Sequence, residues 1–581
     1  MPQKYSTPGV YLKEVDQSEI TTPAGTSVGA IIVRSKNGPV NRFVEIADDK
    51  SFIDTFGQPI FTSGAATDRK TPEYGFASYA ALEFLKYSNS LNVMRIADTL
   101  DRYANAVYTT SGTGTYSSSI SANIAPTSLD KTNSIAALED FSFAASDVLL
   151  IGATGPGTDA HNVAVGIEWY SSACDWRYSF DDYSSAVDDM DNAERVFKLN
   201  VYTKTSKEVW TTSEQTALSG YTPVETFYGT VNQQTDQDGN SLQIEEVVNG
   251  NSQYIYVKVP SAMSIFNLAL VPSVDINGIN RKFNFEKLQG GAAANENTGL
   301  TSTAGYDLMK SKEDLDVDIL IVPTYDTAVK KKAAEVAEFR KDCVAVCQTG
   351  ARTALTVDQV KAAEIYGYVN PSYVALYAGW DYIYDQYNDR KIYVPKCIYG
   401  AAAMARTDNV ANVWDAPAGY ARGVIGPALD QNVIFSFAQI GQLYDVNINT
   451  SRFVRGVGHV IWGQKTAQLK KSALDRINVR RLLLFIETSI EAALQPYVLD
   501  ITNTERNRLR VWSNIDSFLA TVQSEGGLTA YEVVVDSTNN TSQIIDSNQM
   551  VINVYCQPVR VSEFIQLNTI VTRTGVTTTV A

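Results

Sequence analysis

Histidine and cysteine are scarce in this 581-residue sequence, with two of the first and five of the second. His161 and His459 lie far apart, and neither has a Cys or carboxylate at helical ligand spacing. A structural zinc site is therefore not expected. Cys174, Cys343, Cys347, Cys397 and Cys556 are scattered and odd in number, which argues against a disulfide framework. No apolar stretch approaches the roughly 18–20 residues that a membrane helix needs, so no membrane insertion is expected. The opening MPQKYSTPGV has no apolar run, and the expectation is a chain without a secretory signal that folds in the cytosol. Basic charge is short as well: 48 Lys and Arg stand against 64 Asp and Glu, a net charge of −16. Duplex recognition rests on a basic footprint, so no nucleic-acid partner is expected.

The motifs of catalysis are missing in the same way. The block 152–157 (GATGPG) lacks the G-K-[ST] of a phosphate loop. No Gly-rich dinucleotide turn joins strand to helix in 21–100, and no G-x-S-x-G elbow is present. Cys343 and Cys347 are four apart on an expected helix, not at C-x-x-C spacing, which suits core packing. Asp181, Asp182, Asp188, Asp189 and Asp191 crowd one stretch without the spaced D-x-D-x-D-G of a calcium loop, and read as a solvated acidic loop. No catalytic, cofactor-binding or metal-binding residue is assigned, and no enzyme is expected. The alternative from another class is a β-rich enzyme acting on polysaccharide, with 101–310 as its binding module. It lacks both an acid/base pair and a signal peptide.

What is present is length for roughly three to five domains. Residues 10–15 form a short alternating strand beside the Pro8–Gly9 turn, with no hairpin partner. Residues 21–100 alternate strand (28–33, 93–96) and helix (51–56, 79–86). In 101–310 Ser, Thr, Asn and Gly rise, and β runs appear at 163–168, 196–202 and 254–259. After Gly290–Gly291 the α/β pattern returns, with a helix near 306–312, a strand at 318–323 and a helix over 331–346. That last helix would face Ala334, Ala337 and Val344 inward. His459 falls in an alternating strand, where a satisfied strand histidine is expected.

The carboxy-terminal stretch 477–572 has the clearest pattern. Leu482, Ile486, Ile490 and Leu494 recur every four residues, with Phe485 and Ala493 beside them, until Pro496 stops the helix. Thr502 and Glu505 have the form of a capping box. Leu509, Trp512, Ile515, Leu519 and Val522 give the next helix an apolar face, and Gly526–Gly527 ends it. Strands are expected at 531–535 and 550–556, the second turning Met550, Ile552, Val554 and Cys556 one way. From Arg452 to Ala530, eleven Lys and Arg outnumber seven Asp and Glu, so one end of an acidic chain is locally basic.

Several ordered motifs run through these segments. They are T-P-G-V-Y near the start, G-P-V-N followed by Phe52, Phe56 and Gly57, and the series Tyr393, Val394, Pro395, Gly400, Ala403, Arg406, Thr407, Asp408. Trp414, Ala416, Pro417, Arg422 and Gly423 continue that series; R-R-L-L at Arg480 and then Pro558, Val559, Glu563, Phe564 and Ile565 complete it. The set resembles the contractile tail sheath proteins of tailed bacteriophages, over 1–100 and 310–575 and only thinly between. At 156–162 the family's P-G-x-x-G-N turn is one residue longer here, with His161 in place of Gly.

The resemblance implies an α+β multidomain fold. A discontinuous α/β core domain (21–100 and 311–450) would be split by a β-rich outer insertion (101–310). A carboxy-terminal α+β domain (451–570) would lie nearest the tail tube, with an amino-terminal arm (1–20) and a short tail (571–581). It also implies a structural protein that polymerises with itself, as stacked hexameric rings in a helical sleeve. The other partners implied are the tail tube, baseplate and tail terminator proteins, with assembly in the host cytoplasm and residence in the virion tail. A sheath of a bacterial contractile injection device shares the same sequence logic. Both terminal strands, with Val10, Tyr11, Leu12 and Val15 in one and Phe564, Ile565 and Leu567 in the other (564–571), would be intersubunit arms adding to a neighbour's carboxy-terminal domain. Arg506, Arg508 and Arg510 crowd a helix start, where they oppose the dipole; they are expected to face the tube, with Arg480 and Arg481 as the second patch.

Overall fold

Five buried residues in a row, Gly29–Val33, start the central sheet of this protein, and their continuous apolar run is what a parallel strand covered on both faces requires. The computed structural model describes residues 27–35, 38–40, 42–60, 72, 75–96, 102–110, 116–119, 124, 136–144, 147–156, 163–169, 197–203, 222–230, 241–260, 273–276, 279–289, 304–364 and 367–569. Two compact units emerge. Among the described residues the larger holds 27–410 and 417–469, and the smaller 411–416 and 470–569.

The larger unit opens with β1 (Gly29–Val33), β2 (Phe43–Ile46), α1 (Asp49–Phe56), α2 (Ala77–Phe84) and β3 (Leu91–Arg95). Asp48 caps α1 by accepting the Ser51 N–H at 2.6 Å, a bond that holds its carboxyl below the usual carboxylate range. A mainly β segment follows: β4 (Tyr103–Thr110), β5 (Tyr116–Ser119), α3 (Ala136–Glu139), β6 (Asp147–Pro156), β7 (Val163–Trp169), β8 (Phe197–Thr203), β9 (Glu225–Gly229), α4 (Ile244–Asn249), β10 (Ile255–Lys258), β11 (Ser273–Ile276) and β12 (Ile279–Lys287). Its strands make two antiparallel sheets, ordered β10-β6-β4-β5 and β11-β12-β7-β8-β9. One core joins them, with Tyr108, Ile151, Val165, Phe197, Leu199 and Ile255 among its members. Residues 152–156 of the GATGPG block lie within β6, as strand and not as a phosphate-binding turn, and Gly157 lies outside the described residues.

The chain then returns to the first sheet through α5 (Ala304–Leu308), β13 (Ile319–Val322), α6 (Thr327–Arg340), β14 (Val344–Thr349), α7 (Val357–Ala363) and β15 (Val374–Ala378). The completed order is β15-β14-β13-β1-β3-β2, parallel except for β2. Residues on both sides of the β segment thus share one sheet, Ile31 pairing with Ile321 and with Val93. Both ends of that segment meet at one place, since a Cβ on Gly305 would stand 2.4 Å from Ile96 Cδ1. Tyr306 and Met309 are buried, so the chain is back in this core by 304, before the expected resumption at 311.

The helix expected over 331–346 is shorter than its sequence pattern. α6 ends at Arg340, Lys341 turns left-handed at φ 60°, and Val344 and Cys347 belong to β14. Buried Arg340 makes that stop, donating to the carbonyls of Met309, Ser311 and Leu315 and to the carboxylate of Asp342. The unit closes with β16 (Trp380–Asp385), β17 (Arg390–Pro395), α8 (Cys397–Val410), α9 (Gly419–Arg422), β18 (Ala428–Gln431), α10 (Phe437–Asp445), β19 (Ser451–Val454) and β20 (Gly458–Ile461), and runs on to Leu469, past the expected boundary at 451. Gly400 explains one motif position: a Cβ there would meet the Tyr377 ring at 2.6 Å, so only glycine lets α8 settle onto β15.

The smaller unit is built from α11 (Ile477–Leu494), α12 (Glu505–Ser524), β21 (Leu528–Val534), α13 (Ser542–Asp546) and β22 (Asn553–Pro558). The cap of α12 is Thr504, whose side chain accepts from Asn507 N at 3.4 Å, and not Thr502. Its buried face is Arg508, Val511, Ile515, Phe518, Leu519 and Val522. Ile515, Leu519 and Val522 are inward as expected, but Leu509 is 63% exposed and Arg508 and Val511 take the inward places expected of Leu509 and Trp512.

Candidate functional site

Packing in the smaller unit starts from one aromatic line. Trp414 lies 6.0 Å from the Phe485 ring on α11, and Phe485 lies 6.0 Å from Phe518 on α12. Asn478 Nδ2 donates to the Trp414 carbonyl at 3.1 Å, tying 411–416 to the start of α11. Trp512 is partly exposed because its indole N–H reaches outward to the Val533 carbonyl of β21 at 3.0 Å. β21 and β22 pair antiparallel, Tyr531 opposite Cys556 and Val533 opposite Val554. As expected from alternation, Met550, Ile552, Val554 and Cys556 turn toward the helices while Tyr555 is exposed. Asn540, buried at the turn between the strands, accepts the Val551 N–H and donates to its carbonyl.

That sheet has only two strands among the described residues, so each keeps one edge that no strand covers, although the Thr529 and Val533 carbonyls of β21 already accept from Gln523 Nε2 and Trp512 Nε1. Beyond β22 the chain runs on without helix or strand through residue 569. Phe564, Ile565 and Leu567 are 82%, 88% and 86% exposed there. Large apolar side chains this open, on a segment that follows the last strand, suit intermolecular strand addition. Val10, Tyr11, Leu12 and Val15 lie outside the described residues, as do 570 and 571. The root of the extended segment is held by Glu563, which takes a bidentate pair from Arg476 (Nε–Oε1 2.6 Å, Nη2–Oε2 2.8 Å).

The arginines divide. Arg506 and Arg510 are exposed one turn apart on α12, Arg510 stacked 5.5 Å over the Tyr497 ring. Arg508 is 8% exposed and donates to Asn503 Oδ1 at 2.9 Å; Arg480 and Arg481 are 5% and 4% exposed. These three are corrections to the expected surface patches, because a guanidinium enclosed by its own chain offers no face to a partner.

In the larger unit a buried polar cluster went unread in the sequence. Lys396 Nζ lies 2.5 Å from Asp381 Oδ1 and 2.8 Å from Ser451 Oγ, and Gln431 Nε2 donates to both oxygens. Burial pushes the Lys396 ammonium below its usual value, with the Asp381 charge opposing. A serine beside a lysine is a nucleophile pattern, but Ser451 and Lys396 are 2% and 1% exposed, closed to any substrate. His459 on β20 stacks 5.2 Å from Phe453, and burial lowers its pKa. Cys343 and Cys347 do not share a helix face; both are buried, and burial pushes the Cys347 thiol up to about 12, the inert end of cysteine chemistry. Among the described residues no three His, Cys, Asp or Glu side chains gather to hold a metal ion, and no helix is long and apolar enough to cross a membrane.

The fold is thus an α+β chain with a discontinuous, largely parallel sheet, a β-rich insertion and a smaller unit of helices and a two-stranded sheet. Residues 470–572 match the phage tail sheath C-terminal domain. The tail sheath protein of Enterobacteria phage T4 is 32% identical over 311 residues, which cover 50% of this chain and 47% of that one. The tail sheath protein of Vibrio phage KVP40 is 32% identical over 296 residues, 46% of this chain and 44% of that one. This chain thus spans about half the length of these curated relatives. The crystal structure of the sheath tail protein Lin1278 from Listeria innocua superposes over 93% of this chain and 97% of its own, at a TM-score of 0.52 and 12% identity, and so shares the fold. Over these stretches the chain is similar to phage tail sheath proteins, in line with the resemblance carried by its motifs. The α+β multidomain fold holds too, and the relatives named are structural proteins.

Proposed function

We propose that this chain is the subunit of a contractile tail sheath, polymerising into a sleeve of stacked six-fold rings around a tail tube and contracting to drive the tube through a host envelope. The observation that carries the reading is the exposed run Phe564–Ile565–Leu567 after the last strand of a two-stranded sheet with open edges. A strand donated by one copy and an edge offered by the next make a head-to-tail contact, which propagates without closing. The kinship with tail sheath proteins supports the same reading. The chain's partners would then be itself, the tube, the baseplate and the tail terminator, in a virion tail assembled in the host cytoplasm, with no catalytic role.

Arg506 and Arg510 are the tube-facing residues that remain after burial removes the others. An exposed ion pair contributes only ~0.2–1 kcal/mol. Repetition around every ring makes the sum large while each contact stays breakable. The extended sleeve would be held by such contacts and released into a better-packed contracted form. Electron microscopy of the purified protein tests the reading: it expects rings or sleeves, and dispersed monomers at high concentration would overturn it. Removing residues 1–20 should leave a folded subunit that no longer polymerises. Replacing Arg506 and Arg510 with Glu should yield empty or contracted sleeves; extended sheaths on tubes at wild-type salt tolerance would remove α12 from the tube contact.

A further inference from the structure

We propose that the Arg476–Glu563 pair is a positioning clamp, fixing where the carboxy-terminal arm leaves the folded unit and passing tension on the arm to α11. This rests on the reading of that segment as an intersubunit arm. After β22 the backbone of Val559 donates to Gly527 O at 3.1 Å, and among the described residues no backbone hydrogen bond follows through 569. Every residue from 559 to 569 is exposed except Glu563. That carboxylate is thus the last anchor of the chain before Phe564, Ile565 and Leu567 stand open.

The geometry of the anchor is specific. Both oxygens of Glu563 are engaged by the planar fork of Arg476, which is a directional contact and not a diffuse attraction. The third arm of the guanidinium, Nη1, lies 3.0 Å from Asp475 Oδ1, which holds the fork in its plane. Arg476 is itself the residue that opens α11, whose first turns bury Ile477, Val479 and Leu482. A pull on the arm would otherwise act on the end of β22. A two-stranded sheet is marginal alone, and a strand drawn from its end loses its partners one pair at a time. Through the clamp the same pull reaches an 18-residue helix whose first half is almost wholly buried instead. Fixing the root also fixes the register in which Phe564, Ile565 and Leu567 meet an acceptor edge, since a slip of one residue turns every side chain to the other face.

The test is sedimentation of the full chain as a function of concentration, with melting temperature read on the unassembled subunit. Glu563→Gln should raise the concentration at which the protein sediments by about tenfold, the fold-change of one such contact, while melting stays near wild type. Arg476→Glu should do the same, and the double variant Arg476→Glu with Glu563→Arg, made with Asp475→Asn, should return within about threefold of wild type. Arg476→Lys, which keeps the charge and loses the fork, gives the same reading should Glu563→Gln fail to fold. A chain ending at Glu563 is the control for the arm itself. If that truncation abolishes sedimentation while Glu563→Gln sediments as wild type, the clamp is overturned and the arm stands. A double variant that restores nothing, made with Asp475→Asn so that the new glutamate meets no like charge, also overturns the clamp. If the truncated chain still sediments normally, the arm reading fails and the clamp falls with it.

Discussion

Lys396 and Asp381 show how burial turns charge into a constraint. Their contact is worth keeping because each would be stranded without the other, and removing one partner of a buried pair costs about 3–5 kcal/mol. Asp381→Ala should therefore destabilise the larger unit by about that amount in calorimetry, whereas Lys396→Met with Asp381→Leu should cost clearly less. His459 titrates in the same neighbourhood, where burial and the Lys396 charge lower its pKa against Asp381 and Asp430. The folded protein then takes up the proton less readily than the unfolded chain. Stability is full above the unfolded value near 6.5 and falls as pH drops through it toward the folded value. His459→Phe should flatten that slope between pH 7 and 5 in thermal melts, and an unchanged slope would refute the assignment. The strand around His459 was legible beforehand, but the Lys396–Asp381 cluster beside it was not. Arg480, Arg481 and Arg508 read as surface charge because charged residues are seldom fully buried.

Elements were legible where periodicity and punctuation agree. α11 shows its four-residue repeat and stops before Pro496, and the parallel strands β1 and β13 read as unbroken apolar runs. α12 shows its period, and Ile515, Leu519 and Val522 lie inward as expected; only Leu509 and Trp512 in its first half were misplaced, the Trp512 N–H being drawn out to Val533. Leu519→Ala should cost ~2–5 kcal/mol and Leu509→Ala within about 0.5 kcal/mol in denaturant melts; equal losses would contradict the observed face. α6 was overextended because nothing in its sequence marks the end. The stop is a left-handed Lys341 with buried Arg340 gathering distant carbonyls, a tertiary cause. The pairing of β1 with β13, across nearly three hundred residues, has no local signal either; the family resemblance implied a shared discontinuous domain but no strand pairing.

At the scale of the whole molecule, the β-rich segment is an excursion whose ends return to one point, Gly305 against Ile96. It carries its own core, and closing its ends with a short linker costs little loop entropy. Replacing residues 101–303 with such a linker should keep the six-stranded sheet folded and leave sleeve formation intact; a folded core that no longer assembles would place the segment in the contact instead of at the periphery. The central claim is that copies join by strand donation from the arm beyond Glu563 to a sheet edge of a neighbour. Electron cryomicroscopy of the assembled protein tests it most directly. The account predicts the segment with Phe564, Ile565 and Leu567 of one copy hydrogen-bonded along β21 or β22 of another. A sleeve in which that segment pairs with nothing, or folds back on its own subunit, would contradict it.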